Sequence, residues 1–138
     1  MVKGLLVDRR HDPRVRVSLE LKFKIFDKPE LVQFRRLEEK VIQAGRAESL
    51  SVEGLALFTR TAVKAEQGLE LVFDLPEARE PLKAFAKVAW CQYNRSEGIY
   101  EVGLKFLEIN KLDASFLAKY MVEKLEDLMK PLLRYWPV

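Results

Sequence analysis

Apolar and polar residues alternate without a break from Val15 to Ile25: Val15, Val17, Leu19, Leu21, Phe23 and Ile25 on one side, Arg16, Ser18, Glu20, Lys22 and Lys24 on the other. A period of two over this length predicts a half-buried β-strand. Asp27-Lys28-Pro29-Glu30 closes it. Leu31, Phe34, Leu37 and Val41 then fall near helical spacing, so a short helix after the first strand competes with a hairpin continuing it. A second strand is expected over 41–47, and Ser49-Leu50-Ser51-Val52-Glu53-Gly54 reads as a tight reversal before Leu55-Ala56-Leu57-Phe58. Gly54 suits the positive φ that a reversal can need, and the hydroxyls of Ser49 and Ser51 suit bonds to nearby backbone.

Alternation returns at Leu69, Leu71, Phe73 and Leu75, and a turn over 76–81 ends that strand. Over 83–93 strict alternation puts Ala84, Ala86, Val88 and Trp90 on one face and Lys83, Phe85, Lys87, Ala89 and Cys91 on the other. A turn at 94–98 leads to Tyr100, Val102, Leu104 and Phe106 as the core positions of a last strand. Short strands with frequent turns predict a mainly β chain, an antiparallel barrel or sandwich, in which closure removes exposed edges. The period then changes. Asn110 as cap, Asp113 at the capping-box position, and Phe116, Leu117, Tyr120, Met121, Leu125, Leu128 and Leu132 predict a C-terminal helix that Pro131 ends near Lys130. The apolar tail 132–138 is expected to fold back or to cover a partner.

At 138 residues the chain fits one domain: an arm over 1–14, a barrel over 15–109, and the helix and tail over 110–138. The run Gly4 to Val7 is too short for a signal peptide and nothing later is long enough to span a bilayer, so a cytoplasmic protein is expected. One cysteine, Cys91, and one histidine, His11, exclude an internal disulfide and a zinc-type ligand set.

Charge is what singles out the arm. Residues 1–16 hold Lys3, Arg9, Arg10, Arg14 and Arg16 against Asp8 and Asp12, which is 5 minus 2, the whole net charge of +3. The other residues balance, 19 basic against 19 acidic. Pro13 disfavours a helix at Asp12, and a turn there would let the tips of Arg10 and Arg14 converge on one ligand. Clustered guanidiniums suit a compact anion with several acceptor oxygens, because each offers a planar fork to phosphate. A solvated entry segment is the plain alternative. Nucleic acid fits less well, given the confined charge. The glycines make no phosphate-loop spacing and His11 has no evident nucleophile beside it, so no catalytic residues are assigned.

Taken in order, Arg9-Arg10-His11-Asp12-Pro13-Arg14, Ser49-x-Ser51-x-x-Gly54, Val88-Ala89-Trp90 and Val102-Gly103-Leu104-Lys105-Phe106 resemble a PilZ domain over residues 8–109. That resemblance implies a six-stranded antiparallel barrel with a C-terminal helix that binds cyclic di-GMP, a bacterial second messenger, and takes no other cofactor. It implies ligand contacts from Arg9, Arg10 and Arg14 in the arm and from Ser49, Ser51 and Gly54 in the turn, with Trp90 near the site. Core packing is the alternative for a strand tryptophan. Ser49 stands where the family pattern has Asp or Asn, which replaces a charge-assisted bond with a neutral one and is expected to weaken binding by about 1 to 2 kcal/mol. By strict alternation the neighbouring Glu48 points the other way. A protein partner, a homodimer through the C-terminal helix, and an adaptor that binds no nucleotide are further expectations.

Overall fold

The computed structural model describes residues 14–29 and 41–133, with side chains through 128. Among the described residues six strands, β1 (Val15–Phe26), β2 (Gln43–Leu50), β3 (Gly54–Thr59), β4 (Gly68–Phe73), β5 (Leu82–Asn94) and β6 (Ile99–Ile109), precede a helix, α1 (Lys111–Leu133). All pairings are antiparallel, and the strands close into a barrel in the order β1-β2-β3-β6-β5-β4. Closure depends on β1. It pairs with β2 from Val15 opposite Leu50 to Phe23 opposite Gln43 and with β4 from Leu21 opposite Phe73 to Phe26 opposite Gly68, so its middle is held on both sides. The alternation seen in sequence is realised there, with Val15, Leu19, Leu21 and Phe23 buried and Arg16, Ser18, Glu20 and Lys22 exposed. Leu50, Leu55, Leu57, Leu69, Leu71, Val88 and Val102 fill the interior from the other strands.

The helix closes one end of the barrel. Asn110 Oδ1 accepts the Asp113 backbone N–H at 2.8 Å, the expected cap, while Asp113 Oδ2 accepts both Asn110 Nδ2 at 3.0 Å and the Lys83 backbone N–H at 3.2 Å. The first turn is thereby tied to the start of β5. One turn on, Leu117 and Met121 are buried in the core, each contributing on the order of 2 kcal/mol. Phe116 and Leu128 stay exposed, because the apolar residues of α1 span a wider arc than the barrel end covers.

Several boundaries differ from expectation. β2 starts at Gln43 and runs through Ser49 and Leu50, leaving only residues 51–53 for the turn. α1 continues past Pro131 to Leu133. So close to a helix end the proline deletes a single hydrogen bond, and its fixed φ is already helical. The competing readings after β1, the basic arm with Arg9 and Arg10, and the apolar tail beyond 133 fall outside the described residues. Among the described residues no helix is long and apolar enough to cross a membrane.

Candidate functional site

Two β-bulges build the site. In the β2–β3 ladder Ala47 faces Leu57 but Ser49 faces Ala56, so Glu48 is an extra residue. Ala47 and Leu50 both point into the core, fully buried, and the two residues between them, Glu48 and Ser49, both turn outward. The β5–β6 ladder repeats the device: Val88 faces Leu104 and Trp90 faces Gly103, leaving Ala89 extra. Strict alternation had put Trp90 inside with Val88. The bulge reverses the parity, so Trp90 is 39% exposed on the outer surface and Cys91 turns inward. Bulges re-aim side chains in this way because one added residue shifts everything beyond it by a half period.

The registers then place one residue from each of five strands in a row on the outer face. Arg16 lies opposite Ser49, Ser49 opposite Ala56, Ala56 opposite Gly103 and Gly103 opposite Trp90. Adjacent positions are one strand spacing apart, so the small residues Ser49, Ala56 and Gly103 form a shallow floor about 10 Å wide. At one end stand Arg16 and Arg14, the latter with Nη1 at 3.5 Å from Ser49 Oγ. At the other, the indole of Trp90 lies on Gly103, where an added Cβ would come within 2.1 Å of its Nε1. Cationic groups at one end and a half-exposed aromatic face at the other flank a floor with no bulky side chain. Such a surface fits a flat, anionic ligand.

The turn beside this floor is held by Ser51, which is fully buried. Its Oγ accepts the backbone N–H groups of Glu53 and Gly54, each at 3.2 Å, and donates to the Gly54 carbonyl at 3.3 Å. A hydroxyl has one donor and two lone pairs, and all are used here. Through these bonds Ser51 holds the turn that edges the floor. Gly54 is also structural, though not through φ: the glycine with positive φ among the described residues is Gly98. A Cβ at Gly54 would lie 1.9 Å from the Leu104 carbonyl oxygen, so glycine is needed for β3 to approach β6, and Phe106 N–H donates to Glu53 O at 2.7 Å on the same seam.

Of the residues expected from sequence, Arg14, Ser49 and Trp90 share the outer face, Ser51 and Gly54 support it from within, and Arg9 and Arg10 lie outside the described residues. Glu48, Ala56 and Gly103 were not among the expected site residues. Small residues carry no signal until the register sets them side by side. Among the described residues no group of acidic, histidine or cysteine side chains is arranged to hold a metal ion.

A family model for the PilZ domain matches residues 8–123. Among solved structures, the Bacillus subtilis inhibitor of motility MotI/DgrA is similar at 18% identity with a TM-score of 0.64, over 88% of this chain and 53% of its own. The Klebsiella MrkH–c-di-GMP complex gives 17% identity and a TM-score of 0.65, over 91% and 56%. The PilZ domain with c-di-GMP of Escherichia coli YcgR gives 12% identity and a TM-score of 0.61, over 91% and 98%. The chain thus spans about half the length of MotI and MrkH and nearly all of the isolated YcgR domain. No curated protein matches it in sequence.

Proposed function

Because the chain belongs to the PilZ domain family, we propose that it is a cyclic di-GMP receptor, holding the dinucleotide on the outer face of the barrel between its arginines and Trp90. The observation that carries the proposal is the row Arg16, Ser49, Ala56, Gly103, Trp90, with Arg14 bonded to Ser49. Two related structures, those of MrkH and of the YcgR domain, contain c-di-GMP. The ligand brings two phosphates and two flat bases. Guanidiniums neutralise the phosphates with forked bonds, and the free face of Trp90 stacks on a base. Arg9 and Arg10 of the basic arm are the further guanidiniums that this reading assigns to the ligand, and Ser51 and Gly54 act by holding the floor's edge in place.

In this reading the output is a change of surface that a partner meets. Arginines close together in the arm repel one another until an anion neutralises them. Occupancy then favours the arm against the barrel and alters what a protein partner meets there, through the difference in ligand affinity between the two arrangements.

Calorimetric titration with cyclic di-GMP tests this, with GMP as control and an Arg10→Ala, Arg14→Ala double variant alongside. Saturable binding in the micromolar range or tighter, lost in the variant, is expected. A folded protein giving no heat at high micromolar ligand would leave an adaptor that works through protein contacts alone.

A further inference from the structure

Glu48 is the residue that the β2 bulge adds to the outer face. It is exposed, adjoins Ser49 on the floor, and among the described residues no partner holds its carboxylate in a hydrogen bond or ion pair. Ser49 itself is engaged by Arg14 Nη1 at 3.5 Å and brings a single neutral oxygen. Guanine's pairing edge presents two adjacent N–H donors, and a carboxylate is the side chain whose two oxygens accept both at once. Glu101 is the next carboxylate on that side of β6, but it stands a row away, opposite Phe58 and Gln92.

We propose that Glu48, turned outward by its bulge, accepts the N1 and 2-amino hydrogens of a guanine base and so makes the site selective for that base. The inference rests on the receptor reading above. In it the neutral Ser49 positions Arg14, and the negative charge that recognises the base comes from the preceding residue. The bulge is the necessary element: without it, positions 48 and 49 would face opposite ways and only one could reach the ligand.

The test compares cyclic di-GMP with cyclic di-IMP, which lacks the 2-amino groups, on the wild-type chain, Glu48→Gln and Glu101→Gln. Wild type is expected to prefer cyclic di-GMP about tenfold, one charge-assisted bond's share of affinity. Glu48→Gln should weaken cyclic di-GMP binding about ten- to thirtyfold and bring the ratio between the two ligands near one. Glu101→Gln should keep the wild-type ratio. Because Glu48 is exposed, thermal melts of the variant should match wild type, so lost affinity is not lost fold. Wild-type binding with an unchanged ratio in Glu48→Gln would overturn the assignment to Glu48 alone. No binding of either ligand by wild type would overturn the receptor reading and this inference with it.

Discussion

The role of Ser51 separates a structural serine from a ligand-binding one, and Ser51→Ala decides between them. Its hydroxyl is fully buried and makes three bonds, two received from the Glu53 and Gly54 N–H groups at 3.2 Å and one given to the Gly54 carbonyl at 3.3 Å. The carbonyl keeps a partner after truncation, since Ser51 N–H also donates to it at 2.9 Å. The Glu53 N–H lies at an exposed residue where water can replace the lost bond, but the Gly54 N–H is buried. One buried donor left unmade costs about 1 to 3 kcal/mol, so a loss of about 2 kcal/mol is expected. With a urea slope of about 2 kcal/mol/M, the unfolding midpoint should fall by about 1 M. Chemical denaturation followed by far-ultraviolet circular dichroism measures this, and titration with cyclic di-GMP well below the midpoint measures binding. Wild-type stability combined with abolished binding would refute the reasoning and make Ser51 a direct contact.

Two further outcomes follow from the same geometry. Gly103→Ala places a methyl group where Trp90 Nε1 lies, 2.1 Å from the added carbon, and should lift the indole into solvent. In a Trp136→Phe background its emission should shift to the red and cyclic di-GMP affinity should fall at least tenfold. Unchanged emission would mean that Trp90 does not rest on Gly103. Burial pushes the Cys91 thiol above its ordinary value of 9.0. At pH 8 the folded chain should therefore carry less thiolate than the unfolded chain and react more slowly with a disulfide reagent. Since the folded value is the raised one, any stability this thiol contributes is present below 9.0 and falls away as pH rises above it. Equal reaction rates in the folded chain and in urea would contradict the inward turn of Cys91 past the Ala89 bulge.

The sequence by itself determined the elements and their inner faces wherever one period ran unbroken. Val15 to Phe23 could only be a strand with one wet face, and Asn110 with Asp113 marks the start of α1, because these signals depend on neighbours within a few residues. The arm, the Ser-x-x-Gly turn and the Val-Gly-Leu strand, taken together, also carried the family resemblance. What the sequence could not decide was the direction of single side chains beyond Ala47 and Val88. A bulge is a property of two strands in register: Glu48 and Ala89 are extra only relative to Leu57–Ala56 and Leu104–Gly103, which lie far away in the chain. Alternation read along one strand therefore put Trp90 in the core and Glu48 opposite Ser49, and both assignments reversed once the ladders were in place. The same holds for the floor itself, since Ser49, Ala56 and Gly103 become one surface only when three strands pair, and for Ser51, whose buried hydroxyl depends on the fold of its own turn. Local chemistry fixed what the strands are, and pairing between distant strands fixed which of their residues meet a ligand.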